Sequence, residues 1–297
     1  MDSSVVETSS GSAVRRVGAI ERWMRRGFSA ADILNALQPR KDWHVDAGIA
    51  YRPGARGMLD VYRPARQSDK PAPVVVFFYG GSWQSGSRDL YRFVGASLAA
   101  QGIVTIIPDY AVYPEARYPD FLEDGAQALR FGRDNAARWG GDPAHLIAMG
   151  HSAGAYIAAM LAFDKQWLGG VGLDPVDHVA GLVGLAGPYD FLPIVDPVLQ
   201  EIFGGADRIH TQPIRYVGAR VPPSLLVAPN RDRVVSPGNT RRLAAHIRGR
   251  RGKVTERHYA HIGHLGLIGA FAPALRFLSP VFSDVVAFIQ NPAGRQP

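Results

Sequence analysis

From residue 44 onward the chain alternates between two kinds of pattern. The runs at 74–79, 103–107, 145–149, 179–185 and 224–227 are too densely apolar for strands with one wet face. Runs of this kind suit parallel strands buried on both faces. Between them, 88–101, 120–138, 153–163 and 238–249 read as helices. Strand and helix in alternation predict an α/β fold with a mostly parallel central sheet of about eight strands flanked by helices. Ahead of this rhythm, 45–51 and 58–63 read as two strands joined by the turn PGARG, an antiparallel hairpin, and KVTERHY at 253–259 reads as the last strand. The stretch 188–220 breaks the alternation with Pro188, Pro193, Pro197 and Pro213. It reads as a small insertion over the sheet, placed as a cap over a substrate pocket would be.

Upstream, residues 1–12 are a Ser-rich tail and 14–26 read VRRVGAIERWMRR. Val14, Val17, Ile20, Trp23 and Met24 recur near helical spacing, which predicts an amphipathic helix lying on the domain. A helix on a membrane surface is the alternative. Ser29 is placed to cap a second helix over 30–37 that Pro39 ends. These patterns divide the chain into an N-terminal tail with amphipathic helices (1–43), one α/β domain (44–291) and a C-terminal tail (292–297).

Composition changes this picture little. The chain has 297 residues, 46% of them hydrophobic, enough to bury one sizeable core. The formal charge of +7 raises the question of nucleic acid. Only four of the 33 basic residues are Lys, the Arg clusters are short, and no zinc-finger spacing or RNP-type aromatic motif accompanies them. No nucleic-acid partner is therefore expected. The absence of Cys excludes disulfides, thiolate catalysis and Cys-ligated metal. Residues 1–12 are polar and acidic where a secretory signal would be basic and then apolar, and no apolar run reaches the roughly 18 residues of a spanning helix. A cytoplasmic location is the expectation.

The candidate chemistry begins at Gly150-His151-Ser152-Ala153-Gly154. This G-x-S-x-G follows the strand HLIAM and precedes the helix-compatible run AYIAAMLAF, the strand–turn–helix setting that exposes a nucleophilic serine at a sharp bend. A plain Gly-Ser turn is the alternative. A serine nucleophile generates a tetrahedral oxyanion that needs fixed N–H donors. Tyr79-Gly80-Gly81-Ser82-Trp83 follows the strand VVVFF, and consecutive glycines let a backbone turn its N–H groups into a cavity. The backbone N–H groups of Gly81, Ser82 and Ala153 are the expected donors.

With GGSW at 80–83, PDYAVYPE at 108–115 and GGDPAHLIAMGHSAG at 140–154, residues 45–290 resemble the esterase/lipase branch of the α/β-hydrolases that carries H-G-G-x-W. That branch includes kynurenine formamidases, isoprenylcysteine methylesterases and carboxylesterase-like proteins. The resemblance implies the α/β-hydrolase fold and a chain order of nucleophile, acid and base. It places the acid in the loop Arg231-Asp232-Arg233, where Asp232 is the only carboxylate, with Asp207 and Asp196 as fallbacks. It places the base in a Gly-His pair after the last strand, which selects His264 over the runner-up His261. The sequence departs from the branch at Tyr79, where His is usual. That His is taken to brace the loop, and a Tyr hydroxyl could do the same.

These residues imply acyl transfer: His264 takes the Ser152 proton, Asp232 orients and stabilises the imidazole, and water clears the acyl-enzyme. The expected function is hydrolysis of small-molecule carboxylic esters, without metal or cofactor. Arylformamidase activity on an N-formylkynurenine-type amide is one alternative, and a non-catalytic hydrolase-fold binding protein is the other. Tyr79, Trp83, His151, Tyr189 and Phe191 are candidates to line a substrate pocket whose aromatic character would suit aryl or other hydrophobic acyl groups. Asp109, Tyr110, Tyr113 and Glu115 are read as fixing the loop after the strand at 103–107. Oligomeric state is not readable from the sequence.

Overall fold

The computed structural model describes residues 30–36, 38, 41–66 and 68–292. The helix expected over 14–26, its alternative membrane role, the Ser29 cap and the tail from 293 lie outside these residues. Eight strands form one sheet in the order β1-β2-β4-β3-β5-β6-β7-β8. They are β1 (Trp43–Ala50), β2 (Met58–Pro64), β3 (Ala72–Phe78), β4 (Val104–Pro108), β5 (Gly141–His151), β6 (Gly181–Leu185), β7 (Ser224–Pro229) and β8 (Val254–Tyr259). The hairpin β1–β2 is antiparallel, β2 runs antiparallel to β4, and every other pairing is parallel.

The density of apolar residues decides where each strand lies. All residues of β4, β6 and β7 are buried, whereas β1 is mostly exposed along the sheet edge. The intervening helices cover the faces, among them Arg92–Ala99, Asp120–Asn135, Ala153–Phe163, Gly238–Gly249 and Val281–Gln290. Ala153–Phe163 is buried along its whole length, as a helix that is apolar all round must be. The short helix Ala30–Ala36 is tied to the domain: the Asn35 side chain donates to the Asp89 carbonyl at 2.8 Å and accepts from the Phe93 N–H at 2.9 Å.

The expected insertion runs between β6 and β7, and it folds more regularly than its prolines suggest. It contains the helix Pro197–Phe203, with Pro197 in the first turn, where its missing N–H costs nothing. The Asp196 carboxylate caps this helix, accepting from the Leu199 N–H at 3.0 Å. The segment is welded to its neighbours. The Tyr118 N–H donates to the Ile202 carbonyl at 2.9 Å, and the Tyr156 hydroxyl donates to the Thr211 carbonyl at 2.6 Å. It therefore lies over the helix that follows Ser152.

Because β3, β5, β7 and β8 are parallel, their carboxyl ends share one edge of the sheet. Phe78 pairs with Gly150, His151 with Leu185, and Pro229 with Tyr259. The loops carrying Gly81, Ser152, Asp232 and His264 thus leave the sheet on the same side, where open α/β sheets gather their ligands. Among the described residues, no helix is long and apolar enough to cross a membrane.

Candidate active site

Ser152 has φ 56° and ψ −122°, a left-handed conformation that side chains rarely adopt and that costs of order 1–3 kcal/mol. Its two flanking glycines explain how the bend survives. A Cβ on Gly154 would stand 2.0 Å from the Phe78 carbonyl oxygen, and one on Gly150 would stand 2.1 Å from the Gly154 carbonyl oxygen. Both obstacles are backbone, so neither position admits a side chain. The strand end and the helix start are pressed together, and the serine is left at the tip. Ala153 opens the helix Ala153–Phe163. Its N–H is one of the first-turn groups without an intrahelical partner, at the positive end of the dipole.

The loop after β3 turns sharply beside this tip. Gly81, Ser82 and Trp83 have φ of 145°, 53° and 58°, and the Gly81 carbonyl accepts from the N–H groups of Gln84 and Ser85 at 3.0 and 3.1 Å. With that carbonyl committed to the turn, the loop is held in one conformation. Gly80 is in close contact with the elbow, since a Cβ there would lie 3.0 Å from the Ser152 Cβ.

Asp232 and His264 meet as the sequence predicts. The distance from His264 Nδ1 to Asp232 Oδ2 is 2.7 Å, and the Asp232 side chain has no exposed surface. The other carboxylate oxygen accepts from the N–H groups of Val234 and Val235 at 2.9 and 3.0 Å. Three donors thus satisfy this buried carboxylate and fix its orientation toward the ring. The competing candidates are elsewhere: His261 and Asp207 are exposed, and the Asp196 carboxylate is the helix cap described above. His264 is buried and begins the helix His264–Gly269.

Four of the five residues expected to line a pocket are buried. Tyr79 is fully buried, its ring stacked on Tyr110 at 4.6 Å and on Tyr91 at 5.5 Å. Its hydroxyl donates to Asp109 Oδ1 at 2.9 Å and accepts from Arg56 Nη2 at 2.8 Å. Tyr79 therefore braces the loop from behind, in place of the usual His. Tyr189 is fully buried because its ring fills the space left by Gly184 and Gly187. His151 is 1% exposed, enclosed between Gly80 and the ring of His264. Trp83 is also buried, edge-on to Phe203 at 4.8 Å and to Tyr156 at 5.2 Å. Phe191 remains half-exposed, 5.5 Å from Phe203. These rings pack on one another, with the insertion's own Phe203 among them.

The bracing network contains residues that sequence reasoning left aside. Arg56, in the hairpin turn, donates to the carbonyls of Tyr110 and Gly86 at 2.6 and 2.7 Å besides Tyr79. Arg88 pairs with both Asp60 and Asp109. Asp109 and Tyr110 fix the loop as expected, the Tyr110 hydroxyl donating to the Tyr79 carbonyl at 2.8 Å. No local pattern marks Arg56, because its partners come from three distant segments. Tyr79→Phe leaves the half-buried Arg56 guanidinium and the buried Asp109 carboxylate each short of one partner. It is expected to lower unfolding stability by about 1–3 kcal/mol, measured as a shifted urea midpoint at constant slope.

Among the described residues, no group of His, Asp and Glu is placed to hold a metal ion. The arrangement can perform acyl transfer, with a bent serine, a carboxylate-oriented imidazole and a rigid loop of small residues gathered at one sheet edge.

Known proteins resemble this chain in sequence and in fold. It is 29% identical over 256 residues to Esterase LipC of Mycobacterium tuberculosis, covering 80% of this chain and 62% of that one. It is 34% identical over 195 residues to Isoprenylcysteine alpha-carbonyl methylesterase ICME of Arabidopsis thaliana, covering 62% of this chain and 45% of that one. The chain thus spans about half the length of these relatives. A solved truncated carbohydrate esterase from gut microbiota superposes with a TM-score of 0.74 at 20% identity, over 87% of this chain and 99% of the other. The BD-FAE family model matches residues 59–247. With the eight-stranded sheet and the match across most of it, the chain belongs to the BD-FAE family, within the esterase branch of the α/β-hydrolases.

Proposed function

We propose that this protein is a serine hydrolase that cleaves small-molecule carboxylic esters through an acyl-enzyme on Ser152. The observation that carries this reading is the buried 2.7 Å contact between Asp232 and His264 Nδ1. A carboxylate there requires the proton on Nδ1 and leaves Nε2 free to accept one. Ser152 attacks the ester carbonyl as His264 takes its proton. The N–H groups of Gly81, Ser82 and Ala153 receive the oxyanion, each supplying about 3–4 kcal/mol of transition-state stabilisation. His264 then protonates the departing alkoxide, and water repeats the sequence to release the acid. The relatives' names as esterases support the ester reading, and the intact Ser152, Asp232 and His264 favour a catalyst over a binding scaffold.

The rings of Trp83, Tyr156 and Phe203, packed with centroids 4.8 to 5.5 Å apart, support a short acyl group. Release of p-nitrophenol from p-nitrophenyl acetate, butyrate and octanoate tests both statements. Acetate and butyrate are expected to be cleaved, and octanoate roughly tenfold or more slowly. N-formylkynurenine tested alongside separates the formamide alternative, which uses the same atoms. No turnover of any ester would remove the reading.

A further inference from the structure

His151 stands immediately before the nucleophile, yet the mechanism above gives it no task. It is the last residue of β5 and is 1% exposed. Two parts of the site, His264 and the loop at Gly80, converge on its ring. Its Nε2 lies 3.2 Å from the backbone carbonyl oxygen of His264, 113 positions along the chain. The two imidazole rings lie 4.7 Å apart between centroids. On the other edge, Nδ1 is buried without a hydrogen-bond partner and faces Gly80, since a Cβ on Gly80 would stand 3.2 Å from it. A carbonyl oxygen only accepts, so Nε2 must carry the ring's proton and Nδ1 must be bare. The contact with His264 thus fixes the tautomer.

The base needs such a hold. Its helix begins at His264 after an exposed Gly263, and no side chain caps it. Asp232 fixes the orientation of the His264 ring from one side. Nothing in that contact sets how deep the His264 peptide sits, and misplacing a reacting group by about 1 Å can cost about 100-fold in rate. A hydrogen bond from the residue adjoining Ser152 to the peptide of His264 ties nucleophile and base to one strand end.

We propose that His151 is a positioning residue, whose Nε2–H holds the His264 peptide and so sets the reach of the catalytic imidazole toward Ser152. The role rests on the reading of Ser152 and His264 as nucleophile and base. It also requires that His151 stay neutral, since a second cation beside an imidazolium would oppose proton transfer. Burial, and then the charge of His264, push its pKa down to about 3, so the His151 ring stays neutral near pH 7.

The test is kinetic and spectroscopic. His151→Phe keeps a buried ring and removes the donor. It is expected to lower kcat for p-nitrophenyl acetate by about 10- to 100-fold with KM changed less than about threefold. His151→Gln restores a donor near Nε2 and is expected to recover most of that loss. Wild-type kcat in His151→Phe, or equal losses in both variants, would overturn the role. In the intact wild type, ¹⁵N-edited histidine spectra should show one neutral ring protonated at Nε2 throughout pH 5–9. A ring that titrates there, or carries its proton on Nδ1, would overturn it even if neither variant folds. Absence of hydrolysis by the wild type would instead overturn the catalytic reading beneath it, whatever the spectra show.

Discussion

Ser152→Ala is expected to abolish ester hydrolysis while leaving the fold intact. Losing the nucleophile of a serine hydrolase costs about 10⁴–10⁶ in kcat, the residue of activity coming from binding and the oxyanion donors. The structure makes the comparison clean. Ser152 holds φ 56° whichever of Ser or Ala occupies it, since both carry a Cβ. The melting temperature should therefore change little, and a lost rate cannot be assigned to unfolding. A phosphonate probe should label the wild type once per chain and leave the variant unlabelled. Ser152→Gly should be equally inactive yet more stable by roughly 1 kcal/mol, because glycine relieves the left-handed strain. A variant that retained the wild-type rate would take Ser152 out of the mechanism.

That trade of stability for geometry was legible in the sequence only as a motif. The spacing G-x-S-x-G names the serine, but the reason for both glycines lies in the backbone of Phe78 and Gly154, which reach within 2.0 and 2.1 Å of the missing Cβ positions. The strands were the most legible part of the fold. Their apolar runs are dense because both faces of the sheet are covered, and the observed strands fall within about two residues of most expected ones. β5 is the exception, starting four residues before the expected 145, at Gly141. Helices were less legible where tertiary contacts override local preference. The stretch 88–101 opens as a 3₁₀ turn, Arg88–Tyr91, before the helix Arg92–Ala99, because Arg88 is pinned by Asp60 and Asp109. The helix Pro197–Phe203 was hidden by reading its proline as a breaker, although a proline behind a capping Asp is a start signal. The helix Val281–Gln290 was also unread, despite Val281, Val285 and Ile289 recurring every four residues on its buried side.

The site divides in the same way. The candidates Gly81, Ser82, Ser152, Ala153, Asp232 and His264 are readable because each sits in a local motif or in a loop fixed by chain order, and the structure brings Asp232 and His264 into contact. From sequence, Tyr79, His151 and Tyr189 read as pocket residues because position beside a motif does not tell inward from outward. Each is drawn inside by a specific partner: Tyr79 by Arg56 and Asp109, His151 by the His264 carbonyl, Tyr189 by the space over Gly184. The loop proposed to receive the oxyanion is thereby held by a ring of charges and hydroxyls that no linear pattern predicts. Rigidity of this kind is what makes fixed N–H donors effective, since they need not reorganise as charge develops.

Asp232→Asn should lower kcat by about 10⁴ with little change in KM or stability. The substitution is nearly isosteric, and Oδ1 can go on accepting from the N–H groups of Val234 and Val235. The change falls on the atom facing His264 Nδ1, where an amide N–H replaces an acceptor. Two donors cannot share that 2.7 Å contact, so the ring must move its proton from Nδ1 to Nε2. Nε2 then has no lone pair with which to take the proton of Ser152, and the imidazolium that forms in the transition state has lost its counter-charge. Asp196→Asn and Asp207→Asn are the controls. Asn caps a helix about as well as Asp, and Asp207 is exposed, so both variants should retain the wild-type rate within about twofold. The ordering of these three kcat values decides the acid. A large loss in Asp207→Asn with none in Asp232→Asn would move the acid into the segment between β6 and β7, and the buried 2.7 Å pair would then be a structural tie rather than the source of the base's tautomer.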